Sequence, residues 1–300
     1  MNYKMVSLKQ DFIVERIATV HYFEYMSDFQ FEGESHPFWE FLCVDRGEVN
    51  VIADNRNLTL KKGEVIFHKP NEFHNLKANG IIAPNLVVVS FECHSPRMNF
   101  FESKILSISE IERNLLGSII LEARSSFSSP LDNPYMEELV RSSTQTFGSE
   151  QLIKLHLEEF LLQLYRRYLN ASHPSPIIKS TKSHGDEDIY SHIIHYLEAN
   201  VYQHLSTEQI CKDNLIGLSQ LQKLFRDKHN CGIIDYFTRM KIDSAKQMIR
   251  DKHMNFTQIS DALGYSSIHY FSRIFKKITG MTPSDYASSI KLRSEESHHL

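Results

Sequence analysis

Two stretches of the chain, Leu221-Gln-Lys-Leu-Phe225 and Phe271-Ser-Arg-Ile-Phe275, superpose at an offset of 50 residues, and the same offset carries Asp235-Tyr236 onto Asp285-Tyr286. A repeat of this length, with apolar residues three and four apart, restricts the region to two copies of one helical unit. Each copy reads as a first helix (around Glu208–Cys211 and Gln258–Asp261), a short turn (Asn214–Gly217 and Gly264–Ser267) and a second helix with a basic outer face. A helix, a Gly-bearing turn and a basic second helix form the arrangement that lays a recognition helix in the DNA major groove.

Ser267 is the N-cap expected for the second helix of the second copy, and Gly280 supplies its left-handed stop. Gly217 and Asn230 occupy the equivalent places in the first copy. Between the copies, Ile234–Arg250 has no Pro or Gly and carries apolar residues at Phe237, Met240, Ala245, Met248 and Ile249. A rod of about 17 residues spans about 25 Å, enough to hold two small units about one DNA turn apart.

The formal net charge of −4 on the 300-residue chain runs against this reading. The sum hides an asymmetry. Between Gln220 and Lys277, eleven lysines and arginines meet five aspartates, a local excess of six positive charges. A basic helical domain inside an acidic protein is the expectation.

The run Ile259-Ser-Asp-Ala-Leu-Gly-Tyr-Ser-Ser-Ile-His-Tyr-Phe-Ser-Arg-Ile-Phe-Lys-Lys-Ile-Thr-Gly-Met-Thr-Pro-Ser-Asp-Tyr286 resembles the signature of AraC-type transcriptional regulators. Ala287 stands where Arg is common and Ser260 where Ala is common. The resemblance covers Asp186–Lys291 and, more loosely, the N-terminal half. It implies two helix-turn-helix units on a linker helix, preceded by a regulatory domain. Carried over, the base-facing positions fall on Ser219, Gln222, Lys223 and Arg226 in the first copy and on His269, Ser272, Arg273 and Lys276 in the second, with Lys277 nearer the phosphates. Gln, Lys and Arg are side chains that hydrogen-bond base edges or phosphates. For any one of them the alternative is a solvated helix face. Leu221, Leu224, Phe225, Phe271, Ile274 and Phe275 read as core.

The first half follows a different period. From Ile17 to about Cys93, short runs rich in Val, Ile, Phe and Tyr are separated by turn signals at Arg46-Gly47, Asp54-Asn55, Lys62-Gly63, Lys69-Pro70-Asn71 and Ala83-Pro84-Asn85, which predicts an all-β barrel or sandwich. Glu110–Glu122 and Ser149–Leu169 then return to helical spacing. The long apolar face of the second, through Leu157 and Leu164, predicts a surface that one small barrel leaves uncovered and hence a homodimer.

Glu34-Ser-His36-Pro-Phe-Trp-Glu40, followed after six intervening residues by Gly47, resembles the first cupin motif, and Gly63 to His74 resembles the second. A strand through 34–40 would place Glu34, His36, Phe38 and Glu40 on one face, where His74 can join them. Two imidazoles and two carboxylates are chemically competent for a divalent cation. Regulators of this type commonly lack a metal, however, and Glu34 replaces a motif His. The expectation is therefore no metal or other cofactor, and a pocket in which Glu34, His36, Phe38, Glu40 and His74 hold a small polar ligand. His68 and Trp39 are ambiguous between pocket and packing.

The four cysteines, Cys43, Cys93, Cys211 and Cys231, show no C-x-x-C pair and read as reduced core thiols. The opening MNYKMVSLKQDF lacks the apolar region of a secretory signal, and no run reaches the length of a membrane span, so a cytoplasmic protein without a membrane partner is expected. The Ser- and Pro-bearing stretch after Leu169 reads as a linker.

These readings combine into a multidomain α+β chain. A cupin-like β-barrel with appended helices (1–169) leads through a linker (170–185) to an all-α double helix-turn-helix domain (186–291) and a tail (292–300). The expected function is sequence-specific binding of double-stranded DNA in transcription regulation. The resemblance further implies activation in response to a small-molecule effector such as a carbohydrate, with RNA polymerase as a partner. The competing class is a metal-dependent cupin enzyme with an accessory helical domain. A third is a ligand-independent DNA-binding protein that keeps the barrel only for dimerisation.

Overall fold

The computed structural model describes residues 3–170 and 184–296. The chain divides into two compact units that part between residues 170 and 184. Most of the expected linker, and the last residues of the expected tail, lie outside the described residues. No described helix is long and apolar enough to cross a membrane.

The first unit is built from antiparallel strands. These are β1 (Arg16–Glu24), β2 (Gln30–Glu34), β3 (Trp39–Arg46), β4 (Glu48–Ala53), β5 (Arg56–Lys61), β6 (Glu64–His68), β7 (His74–Ala78), β8 (Asn85–Glu92) and β9 (Ile105–Ser107), followed by α1 (Glu110–Ser126) and α2 (Ser149–Asn170). They form a five-stranded sheet in the order β1-β8-β3-β6-β9 and a four-stranded sheet in the order β2-β7-β4-β5. Strand β9 and the last turn of α1 lie beyond the sequence reading, whose strand and helix signals stop at Cys93 and Glu122.

Alternation along the strands sorts the side chains into two cores. Trp39, Phe41 and Cys43 of β3, Val65 and Phe67 of β6, and Val87, Val89 and Phe91 of β8 pack with Leu116, Ile119, Leu157, Phe160 and Leu164 of the helices. The intervening residues Leu42, Val44, Ile66, Leu86 and Val88 face the other way. They meet Val49, Val51, Leu60 and Leu76 of the four-stranded sheet in a second core. Burial on both faces explains why β3, β6 and β8 read as near-continuous apolar runs. Trp39 thereby belongs to packing under the helices.

The helix contacts correct one expectation. Ile153, Leu157, Phe160, Leu161 and Leu164 are fully or almost fully buried within this unit, so the apolar face of α2 is already covered by α1 and the sheet. The sequence showed the stripe without showing that a neighbouring helix would occupy it. Leu152 and Leu155 remain exposed.

The regular elements among the described residues of the second unit are all helices: α3 (His184–Ala199), α4 (Thr207–Asp213), α5 (Leu218–His229), α6 (Ile233–Asp251), α7 (Phe256–Ala262), α8 (Ile268–Thr279) and α9 (Pro283–Glu296). Helices α4–α5 and α7–α8 are the two repeat copies, and α6 joins them. The Ser267 hydroxyl accepts from the Tyr270 amide at the start of α8, and Gly280 ends that helix at φ 84°. Gly217 caps the start of α5, and Asn230 ends it at φ 51°. Leu221, Phe225, Phe271 and Phe275 are fully buried and Leu224 nearly so. Ile274, expected in the core, is only half-buried because it lies at the edge of the apolar stripe of α8.

Cys43 and Cys93 are buried, whereas Cys211 and Cys231 are half-buried, so only the first pair fits the reading as core thiols; all four are free.

Candidate functional site

The first site is the outer surface of α5 and α8. Ser219, Gln222, Lys223 and Arg226 are spaced i, i+3, i+4 and i+7, and His269, Ser272, Arg273 and Lys276 repeat that spacing 50 residues later. Such spacing puts each set on one helix face. The first four are all exposed, as are His269, Arg273, Lys276 and Lys277, while Ser272 is half-buried. The face opposite each set carries the buried Leu221 and Phe225, or Phe271 and Phe275. Burial of one side therefore fixes which side reaches a partner. The Arg273 guanidinium lies over the exposed Tyr270 ring, 5.3 Å from its centroid, which orients a long cation on the outer face of the helix.

Not every basic residue of the local excess faces outward. Arg250 is completely buried and donates to the Tyr286 hydroxyl at 2.9 Å and to the Gln247 amide oxygen at 2.8 Å. Lys241 is nearly buried and donates to the Leu263 carbonyl at 2.7 Å. These two cations hold the helices of the unit together. Charge counting alone could not separate them from the surface set, though their place among the apolar positions of α6 was a signal.

The second site lies in the first unit, among the inward-facing polar residues of the strands. The register pairs Glu40 with His68 on one side and with Ser90 on the other, and pairs Glu34 with His74 across β2 and β7. The sequence reading is corrected on how these residues meet. Residues 34–40 are not one strand: β2 ends at Glu34, β3 begins at Trp39, and the two belong to different sheets. His36 and Phe38 sit in the intervening turn with Pro37, which has no amide to give a ladder. Glu34, His36, Glu40 and His74 nonetheless converge, each offering a ligand atom within 4.8 Å of the others.

The imidazoles are fixed from behind. His36 Nδ1 lies 3.1 Å from the Phe38 carbonyl and His74 Nδ1 lies 3.0 Å from the Glu72 carbonyl. A carbonyl only accepts, so both Nδ1 atoms are donors. The Phe38 ring stacks on His36 at 4.0 Å, and the His68 ring stacks on His74 at 4.2 Å. Behind His68, Glu72 bridges His68 Nδ1 at 3.2 Å and the Arg56 guanidinium at 3.1 Å.

Charge follows from this geometry. Burial opposes ionisation of Glu40, but the His36 and His74 imidazoles and the Ser90 hydroxyl, which donates at 2.6 Å, outweigh it and hold the carboxyl well below its usual range. Burial likewise lowers His74, yet Glu40 at 3.2 Å more than compensates and raises it. Burial and then the Glu40 charge push Glu34 up. His21, buried at the same end and stacked on Phe23, is lowered by burial to about 4 and stays neutral near pH 7. Burial also lowers His68. His21 and His68 belong to this polar cluster, and the even spacing of His21 from Phe23 and of His68 from Ile66 along their strands was the signal that they face inward.

Residues 210–289 match the family described as helix-turn-helix domain. Over 264 residues, 82% of this chain and 84% of the relative, the chain is 23% identical to the HTH-type transcriptional regulator YpdC of Escherichia coli. It is 22% identical over 263 residues, 85% of this chain and 84% of the relative, to the HTH-type transcriptional activator RhaR of Yersinia pseudotuberculosis. Among solved structures, an AraC-type DNA-binding-domain regulator from Chromobacterium violaceum is 24% identical, with a TM-score of 0.34, over 35% of this chain and 95% of that one.

Proposed function

We propose that the chain is a DNA-binding transcriptional regulator of the AraC type, whose first unit binds a small polar effector that controls DNA reading by the second; the helix-turn-helix match and the similarity to named transcriptional regulators over most of the chain support this. The observation that carries the DNA half of this reading is the doubled face: Ser219, Gln222, Lys223 and Arg226 recur as His269, Ser272, Arg273 and Lys276 on two helices whose other sides are buried. Joined by the 19-residue α6, about 28 Å long at 1.5 Å per residue, the two faces read successive major grooves of one duplex. Lys277, one position round the helix, contacts phosphate.

The effector half rests on Glu34, His36, Glu40 and His74, with Phe38 stacked alongside. Buried polar groups brought to one point without full pairing carry a desolvation penalty that a ligand relieves. A carbohydrate is the ligand class proposed, and activation the direction. The protein acts without catalysing a reaction, in the cytoplasm, as a homodimer in contact with RNA polymerase at its promoter. The similarity to named regulators over most of the chain supports the non-enzymatic reading.

Binding-site selection with the full chain on random duplexes tests the first half. Recovery of two half-sites about one helical turn apart is the expected result, and recovery of no shared sequence overturns it. Thermal shift with a panel of sugars and sugar acids tests the second: one class should raise the midpoint of the first unit, and His36→Ala should abolish that rise while sparing DNA binding.

A further inference from the structure

Leu218 is the first residue of α5 and is 49% exposed. At about 100° per residue it continues the apolar stripe of that helix, since Leu221 and Phe225, three and seven positions on, are fully buried. Four positions on stands Gln222, exposed on the reading face. Leu218 therefore sits where the stripe runs out past the core and meets the polar set. Gly217, just before it, carries no side chain, and a Cβ built there would meet nothing within 4 Å. The start of α5 is thus open on that side among the described residues.

The N-terminal residues of a recognition helix are the ones that reach base edges. Among the groups that base edges present in the major groove, the apolar one is the 5-methyl of thymine. Ser219, Gln222, Lys223 and Arg226 bring hydrogen-bonding groups to the groove, and Leu218 brings a branched apolar surface to the same end of the helix. We infer that Leu218 is a further specificity residue, which packs on a thymine 5-methyl group in the half-site bound by α5. This rests on the regulator reading and adds to it an apolar contact that no hydrogen-bonding set supplies. The repeat places Ile268, also branched and aliphatic, at the start of α8, but Ile268 is half-buried where Leu218 is exposed, so the methyl contact belongs to the first copy. Leu215 is a contrasting case. It is 96% exposed, yet it lies in the turn before α5, at φ 51°, off the helix that carries the reading face.

The test is a fluorescence-anisotropy titration of the full chain on the duplex recovered by sequence selection, and on duplexes in which each thymine in turn is replaced by uracil. That replacement deletes the methyl group and keeps the pairing edge. One such replacement should weaken binding by the wild type about four-fold, the worth of one buried methyl group. Leu218→Ala should bind the thymine and uracil duplexes equally, whereas Leu218→Met, which keeps an apolar tip, should still prefer thymine. Leu215→Gly, suited to a left-handed backbone, should keep the wild-type preference. Should Leu218→Ala unfold, Leu218→Lys takes its place, because its stem still covers the end of the core while its tip is a solvated ammonium, and it too should lose the preference. No response of the wild type to any uracil, a preference for thymine that survives the loss of Leu218, or one that disappears with Leu215→Gly overturns the inference. Selection separates the two readings: a wild type that selects a duplex but ignores its methyl groups refutes the Leu218 contact alone, whereas one that selects nothing refutes the regulator reading and this contact with it.

Discussion

The Lys241 ammonium, on the helix that joins the two repeat copies, donates to the carbonyl of Leu263, 2.7 Å away, at the end of the first helix of the second copy. It passes over the rings of Phe237 and Tyr265 at 5.1 and 5.5 Å on the way. This contact ties α6 to the turn that aims α8. Arg250 makes the equivalent tie between α6 and α9 through Tyr286.

Lys241→Met should leave the Leu263 carbonyl unsatisfied and cost about 1–3 kcal/mol, while Lys241→Arg retains most of the stability. The pH dependence carries a definite sign. Burial lowers Lys241 from 10.5 to about 8, so between these values the unfolded chain holds the proton that the folded protein has released. Stability from this residue therefore rises across pH 8 to 10.5. Urea midpoints at pH 7.5 and 9.5 should show that increment in the wild type and lose it in Lys241→Met.

Gln222→Ala and Arg273→Ala should each relax the sequence preference at one half-site only, by about 1–3 kcal/mol per lost base contact. Sequence selection with each variant checks this. An unchanged selected sequence for both would show that other side chains carry the specificity.

Lys277→Ala should weaken specific and non-specific duplexes alike. Its slope of log affinity against log salt should fall by about one unit, as the loss of one phosphate contact requires. Titrations from 50 to 200 mM salt measure it.

Leu157→Ala should destabilise the first unit by about 2–5 kcal/mol, because Leu157 is fully buried between α2 and its neighbours. Leu155→Glu, on the exposed side of the same helix, should leave the unfolding midpoint nearly unchanged. Sedimentation of Leu155→Glu then reports whether that outer side mediates self-association.

The helix-turn-helix repeat was legible in the chain because its determinants are local. Helical period, Ser267 as a cap, Gly280 and Asn230 as left-handed stops, and polar residues at i, i+3, i+4 and i+7 all act within one or two turns of backbone. Strand and turn signals in the first half are local in the same sense. What lay beyond the sequence depends on partners distant along the chain. The apolar stripe of α2 looked uncovered until α1 and the five-stranded sheet were packed on it. Lys241 and Arg250 counted as surface charge until the carbonyl of Leu263 and the hydroxyl of Tyr286 were brought to them. Glu34, His36, Glu40 and His74 were named from the resemblance to two cupin motifs, with the first three placed on one face on the premise of one continuous strand. Their convergence comes instead from two strands in different sheets, a turn at Pro37, and the pairing of Glu34 with His74. A sequence sets which face of each element is apolar; only the register between elements decides which polar atoms end up facing one another.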